Sequence, residues 1–229
     1  MAADVDFVHE VRATLAASGD PGRAARQQAY MKSALPFHGL SAPQLTVALQ
    51  PLLAVDAPAD RAVHEATVRR LWDDATHREE WYAAIALMRL RRLRSWLDPE
   101  ALPLLRHLVV TGAWWDVVDD VATHPVADVL TGHRGDVTAT MRAWAVDDDP
   151  WVRRTAVLCQ VGARDATDRD LLRHAIEANA ADPTNWLRKA IGWALRDYAR
   201  TDPVWVRAEV DRLGERLSGL SRREALKRM

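Results

Sequence analysis

The stretch Asp149-Pro-Trp-Val-Arg-Arg-Thr-Ala156 decides the fold of this chain. Asp followed by Pro is typical of a helix start, because Asp caps free amides and Pro fits the first helical position. A similar stretch, Trp186-Leu-Arg-Lys-Ala-Ile191, begins 35 residues after Trp151. The interval recurs, with spacings of 34, 36 and 35 residues along the series Trp81, Trp115, Trp151 and Trp186. A period of this size predicts a stack of helix pairs.

Further helix starts are marked by Asp-Pro pairs and by capping boxes. The pairs begin at Asp20, Asp98, Asp149, Asp182 and Asp202. The boxes run from Ser41 to Gln44 and from Ser221 to Glu224. No region alternates apolar β-branched residues as a strand would. We therefore expect an all-α protein, one domain over residues 1–229, folded as a curved solenoid of HEAT-like antiparallel helix pairs.

Composition favours a soluble folded protein, with 48% hydrophobic and 28% charged residues in 229. No apolar run is long enough to span a bilayer, and residues 1–7 lack the basic region of a signal peptide. The lone cysteine, Cys159, lies in an apolar run, so we expect a buried thiol rather than a nucleophile. A single cysteine without a disulfide partner indicates the cytoplasm.

The charge is unevenly distributed along the chain. The net charge is −1, yet residues 186–229 contain 11 Lys and Arg against 6 Asp and Glu. A C-terminal part this basic predicts a polyanion-binding cleft on the concave face of the solenoid. The alternative is a solvated helical surface, which charge alone does not exclude.

The run Thr111-Gly-Ala-Trp-Trp-Asp-Val-Val-Asp-Asp120 carries the candidate chemistry. Trp115 and Asp119 are four residues apart, so they share one face of a helix. A carboxylate beside an indole fits one reaction, the cleavage of an N-glycosidic bond. Positive charge builds on the sugar in its oxocarbenium-like transition state, and a carboxylate stabilises that charge. An N3- or N7-alkylated purine is already cationic and leaves without protonation, so one aspartate suffices. The scattered histidines and the lack of a Gly-rich loop predict no metal and no cofactor.

Several motifs, in order, resemble those of the AlkD-type DNA glycosylases, which are built from HEAT-like repeats. They are Tyr30-Met-Lys32, Phe37-His-Gly39, Arg70-Leu-Trp72, Ala113-Trp-Trp-Asp-Val-Val-Asp119, Trp151-Val-Arg-Arg154, Lys189-Ala-Ile-Gly-Trp193 and Leu220-Ser-Arg-Arg-Glu-Ala225. The resemblance implies that Asp119, Trp115 and Trp193 line the catalytic cleft. It also implies that Arg154 and Tyr30 contact DNA, and that the lesion stays largely within the duplex.

The remaining DNA-binding candidates lie within the two repeated Trp-Arg stretches, and they are Arg153, Trp186, Arg188 and Lys189. Each has an alternative interpretation. The tryptophans could pack between repeats, and the basic residues could be surface ion-pair partners. Without the motif, Asp119 itself could be a surface acid or a helix cap.

These observations predict a monofunctional glycosylase that releases cationic alkylpurines, such as 3-methyladenine and 7-methylguanine, and leaves an abasic site. Its partner would be double-stranded DNA containing alkylated purines, with no membrane, and the protein would be a monomer in the bacterial cytosol or nucleoid. Bulky adducts are a variant of this prediction. The alternative is a non-catalytic HEAT-repeat module that binds DNA or protein.

Overall fold

The computed structural model describes residues 3–54 and 60–227, and within these ranges the chain is helical without strands. The α-helices are α1 Val5–Ala17, α2 Pro21–Met31, α3 Ala42–Ala54, α4 Arg61–Asp73, α5 Arg78–Met88, α6 Leu102–Gly112, α7 Trp115–Val121, α8 Ala127–Gly132, α9 Arg134–Trp144, α10 Pro150–Leu158, α11 Arg169–Asn179, α12 Asn185–Tyr198, α13 Pro203–Leu213 and α14 Gly219–Leu226. None of them is long and apolar enough to cross a membrane. The prediction of an all-α fold is confirmed.

The chain divides into two compact units, Met1–Trp96 and Leu97–Met229. In the first unit, α1 packs against α3, α4 and α5 through a buried stripe of Val8, Val11 and Leu15. The carboxylate of Glu79, itself buried, accepts hydrogen bonds from the backbone amides of residues 38, 39 and 40. This carboxylate satisfies loop amides that would otherwise be buried without partners.

The second unit stacks its helices in two rows. One row is formed by α7, α10, α12 and α14, each contacting the next. The other contains α9, α11 and α13. In that row, α9 packs on α11, and two ion pairs of 2.5 Å join α11 to α13, Arg173 with Glu209 and Arg212 with Glu177. This arrangement is what the repeat period predicts for successive helix pairs.

Most of the predicted helix starts are confirmed. The carboxylates of Asp20, Asp149 and Asp202 cap α2, α10 and α13, and that of Asp98 caps a short 3-10 segment. Asp182 was the wrong choice, because its carboxylate accepts from the amide and hydroxyl of Thr184, and α12 begins only at Asn185.

The two capping boxes have different outcomes. At Ser41 the box is half formed, since the Gln44 side chain accepts from the Ser41 amide and hydroxyl. The box at Ser221 is wrong, because the residue that caps α14 is Ser218. Ser221 lies inside the helix, where its buried hydroxyl donates to the carbonyl of Arg188.

Two tryptophans of the series, Trp151 and Trp186, lie in a ladder of rings, whereas Trp81 stacks on Trp72 in the first unit. Trp151 and Trp186 stack at 4.3 Å between ring centroids, and Trp114 lies 6.2 Å from Trp151 at a tilt. The residue that joins this ladder is therefore Trp114, whereas the 34–36-residue series contains its neighbour Trp115. Stacked indoles of this kind contribute about 1 kcal/mol beyond the area they bury.

Close contact between α12 and α14 depends on Gly192. A Cβ built at this position would lie 2.5 Å from the Cβ of Glu224 and 3.0 Å from the carbonyl oxygen of Ser221. We expect Gly192→Ala to destabilise the protein by about 1–2 kcal/mol, because the cost of overpacking exceeds the gain in helix propensity. Urea denaturation measures this change.

Gly135 in α9 provides the matched control, because a Cβ there meets nothing within 4 Å. Gly135→Ala should stabilise the protein slightly. Equal effects of the two substitutions would contradict the account of the α12–α14 contact.

Candidate functional site

Trp115 and Asp119 lie one turn apart on α7, as the sequence predicts. The side chain of Trp115 is exposed, at 40%, at the first position of the helix. Trp114 is the preceding cap residue and has extended backbone angles, so it leaves the helix in another direction. The structure thus separates the two adjacent indoles: one packs in the ladder and the other faces solvent beside the carboxylate.

Asp119 is paired with Arg154 of α10. The Nε and Nη2 atoms of Arg154 donate to the two carboxylate oxygens at 2.6 and 2.8 Å. Its third nitrogen donates to the carbonyl oxygen of Trp186 on α12. The exposed fractions of the two side chains are 6% for Arg154 and 17% for Asp119. One guanidinium therefore joins three successive helices of the same row, and a bidentate pair of this type fixes the plane of the carboxylate.

Burial raises the pKa of the Asp119 carboxyl above its ordinary value, and the hydrogen bonds and charge of Arg154 oppose this rise only in part. Asp116 and Asp120, on the same helix, raise the pKa of Asp119 further. In its ionised form this carboxylate is a desolvated negative charge. It would interact with a nearby cation more strongly than an exposed aspartate does.

The ion pair follows the repeat period, because Asp119 and Arg154 are 35 residues apart. Lys189 is another 35 residues on and lies on α12, the next helix of the row. The side chain of Lys189 is exposed. Equivalent positions of three consecutive repeats thus present an acid, an arginine and a lysine. The sequence analysis missed this relation, although the spacing was there to find it.

The other basic candidates have structural partners. Arg153 donates to Asn179, to Asp182 and to the backbone carbonyls of residues 147 and 148. The Nε atom of Arg188 donates to the carbonyl of Asp182. Trp186 is half-buried in the ring ladder. DNA binding by these three residues, and by the buried Arg154, stays a prediction, and the structure gives each of them a role within the stack of helices.

Tyr30 lies in the first unit, near the end of α2, and its side chain is 76% exposed. The same helix carries Arg23 and Arg26. An exposed aromatic ring on a helix with two arginines suits contact with a phosphate backbone, and it remains a prediction for Tyr30.

Trp193 of α12 is half-buried between two depressions of the second unit. One depression, of about 430 Å³, is shared with Thr123, His124, Asp128, Arg134 and Gln160. Cys159 also lines it, and burial raises the pKa of its thiol to about 12, as expected for an unreactive cysteine. The other, of about 560 Å³, is shared with Arg196, Asp197, Arg200, Glu224 and Lys227.

Within the described ranges, one cluster has the residue types of a metal site, namely His38, His77 and Glu80. One ligand atom from each residue lies within 4.8 Å of the others, but the two imidazole rings stack face to face at 3.7 Å, so their lone pairs run side by side instead of toward one ion. The carboxylate of Glu80 already accepts hydrogen bonds from Arg12 and Thr76. These contacts account for the cluster as part of the packing of the first unit.

The Asp119–Arg154 pair predicts a strongly non-additive effect of substitution. Arg154→Gln should destabilise the protein by about 3 kcal/mol, because it leaves a buried carboxylate without its cation. The double variant Asp119→Asn/Arg154→Gln should lose less than the sum of the single losses. Urea denaturation of the four proteins at pH 7 gives the coupling energy, and additive losses would show that the pair is not coupled.

Residues 11–229 match the sequence profile of a family described as DNA alkylation repair enzyme. A solved structure, a predicted DNA alkylation repair enzyme from Enterococcus faecalis, is similar to this chain with a TM-score of 0.83 and 29% identity, over 92% of this chain and 96% of that one. The comparison with curated proteins gave no match. The family match spans both units, so the chain belongs to the DNA alkylation repair enzyme family.

Proposed function

We propose that the chain is a monofunctional DNA glycosylase of the AlkD type, which hydrolyses the N-glycosidic bond of cationic N3- and N7-alkylpurines in duplex DNA. The observation that carries this proposal is the half-buried carboxylate of Asp119 beside the exposed indole of Trp115 on one helix face. A desolvated carboxylate and an exposed indole face both attract positive charge, so together they suit a cationic nucleoside.

The proposed mechanism needs one carboxylate. As the bond from C1′ to the cationic base breaks, positive charge develops on the deoxyribose, and the Asp119 carboxylate stabilises it. Water then adds to C1′ and gives up a proton to solvent, so the products are an abasic site and a neutral base. The guanidinium of Arg154 holds both carboxylate oxygens in place. Trp115 and Trp193 would line the cleft, as the resemblance implies.

For DNA binding we propose a basic face on the helical stack of the second unit. Among the predicted contacts, Lys189 and Tyr30 are supported best, because both side chains are exposed. Arg154 supports binding indirectly by orienting Asp119. Arg153, Arg188 and Trp186 have less support as DNA contacts, since their side chains already bind within the stack of helices.

A second candidate is a non-catalytic helical-repeat module that binds DNA. The Asp119–Arg154 ion pair itself favours it, because a buried pair that joins helices of a stack is also what a purely structural contact looks like. The two candidates differ in whether the carboxylate does chemistry.

Base release from alkylated DNA distinguishes them. The wild-type protein should release 7-methylguanine from methylated duplex DNA, and Asp119→Asn should lose at least about 100-fold in rate, as expected for loss of a charge at the transition state. Chromatography of the released bases measures this. Asp136→Asn, an exposed aspartate of α9, is the matched control and should retain the wild-type rate.

If wild type and Asp119→Asn are both folded, bind DNA and release no base, the binding module is the correct alternative. The pH profile gives a further check on the carboxylate. Since Asp119 acts in its ionised form and burial raises its pKa, release should fall with decreasing pH at a higher pH than for an exposed aspartate.

The salt dependence of DNA binding tests Lys189. A lysine that neutralises one phosphate contributes about 0.9 to the slope of log K against log salt concentration, so Lys189→Ala should reduce the slope by about that amount. Fluorescence anisotropy with a labelled duplex measures the slope. An unchanged slope for Lys189→Ala would remove this residue from the DNA contact.

A further inference from the structure

The 560 Å³ depression beside Trp193 brings together charged side chains of α12 and α14. Its lining includes the Trp193 indole and five charged residues, which are Arg196, Asp197, Arg200, Glu224 and Lys227. Three of these charges are positive and two are negative. Each of the five lies in the last turn of its helix or closely follows it. The depression therefore lies in the basic C-terminal part of the chain.

The negatively charged groups of this depression already have partners. Oε2 of Glu224 accepts a hydrogen bond from Nη1 of Arg196, and Oε1 of Glu224 is 3.7 Å from the ammonium nitrogen of Lys227. Oδ2 of Asp197 accepts from the backbone amide of Gly162 at 2.6 Å. These contacts reduce what either carboxylate offers to a cationic ligand.

The backbone acceptors at the end of α12 are used as well. The carbonyl oxygens of residues 195, 197 and 198 accept from the backbone amides of residues 199–202. On α14, the carbonyl oxygen of Glu224 accepts from Nη1 of Arg196 at 3.4 Å. Free carbonyl groups at a helix C-terminus repel an anion, and these hydrogen bonds weaken that repulsion.

The positively charged groups have unused donors. The guanidinium of Arg200 is exposed, and it has no hydrogen-bond or ion-pair partner among the residues that the structure describes. The side chain of Lys227 is 64% exposed, and its distance of 3.7 Å to Glu224 is too long for a hydrogen bond. Arg196 uses Nη1 for both of its contacts. Since an arginine has five N–H donors and a lysine three, the lining suits a ligand that is negatively charged and rich in acceptors.

The size of the depression and its aromatic wall restrict the kind of anion. A volume of about 560 Å³ is in the range of ligand sites and exceeds what a phosphate group alone fills. The indole of Trp193 offers apolar surface beside the three cations. A phosphodiester between two deoxyribose units matches both features, because its oxygens accept from the cations and its sugar carbons pack on the ring.

We propose that this depression binds one phosphodiester of the DNA backbone, with Arg200 and Lys227 as its main contacts. The inference rests on the proposed DNA binding and assigns a phosphate subsite to it. Arg196, held by Glu224, adds a positive charge whose position is fixed. Phosphate contacts set the register of a protein on a duplex. The subsite would therefore position the duplex relative to Trp193, which the proposed mechanism places in the cleft.

Affinity for a labelled duplex, measured over a range of salt concentrations, tests the subsite. Arg200→Gln should weaken binding about tenfold, as expected for loss of a charged hydrogen bond. It should also reduce the slope of log K against log salt concentration by about 0.9, since one phosphate is no longer neutralised. Arg200→Lys keeps the charge and should keep the slope. The matched control is Arg207→Gln, which changes an exposed arginine of α13 outside the depression and should bind as wild type does.

Glu224→Gln changes the charge of the depression in the opposite direction. It removes a carboxylate that repels a phosphate and that pairs with Arg196 and Lys227. Binding should become about threefold tighter, as expected for loss of one negative charge near the ligand in a well-hydrated site. A disturbed fold would weaken binding, so a gain in affinity isolates the electrostatic effect. Circular dichroism checks that every variant is folded.

Release of 7-methylguanine by the wild-type preparation separates this inference from the proposed function. If Arg200→Gln binds DNA as Arg207→Gln does, or if folded Glu224→Gln binds more weakly than wild type, the subsite is wrong, and base release alone decides the proposed function. If the variants behave as expected but wild type releases no base, the subsite stands on a non-catalytic module and the glycosylase proposal is wrong. If folded wild-type protein does not bind the duplex, both are wrong.

Discussion

In the second unit, the buried ion pair of Asp119 and Arg154 holds three successive helices together. Taking two charges out of water costs several kcal/mol each, and only good geometry repays that cost. Arg154 meets this condition, because it binds both oxygens of Asp119 and also the carbonyl of Trp186. The pair therefore links α7, α10 and α12 in the order in which they stack. Any chemistry at Asp119 is built on a contact that also holds the repeats in register.

The helices could be predicted from the sequence because their starts are local. An aspartate before a proline caps a helix through its own neighbouring amides, and this holds at Asp20, Asp149 and Asp202. At Asp182 the prediction is wrong because of a residue that is distant in the sequence. Arg153 binds one carboxylate oxygen of Asp182, and the other oxygen accepts from the amide of Thr184, before the helix begins. Local rules give the helices, and tertiary contacts decide the exceptions.

The site could be predicted only in part, for a related reason. The motif and the helical spacing identify Asp119 and select Trp115 over Trp114 as its neighbour, and the exposure of the two rings agrees. The 34–36-residue series of tryptophans contains Trp115, but the ring that packs near Trp151 is that of Trp114. Trp114 precedes α7, so the helical spacing does not apply to it. Local spacing did not predict the partner of Asp119, because Arg154 comes from the next helix of the row.

The ion pair also bears on how one acid serves in a glycosylase. A guanidinium that binds both oxygens reduces the negative charge that a substrate meets. Each carboxylate oxygen has two acceptor directions, however, and Arg154 uses one on each oxygen. The Asp119 side chain is only 17% exposed, and in such a partly dry environment a charge acts over longer distances than in water. The arginine thus reduces the negative charge that a substrate meets, but it fixes the orientation of the Asp119 carboxylate. A sugar that becomes positive only in the transition state would be stabilised at the place where the charge develops, without the carboxylate having to reorient.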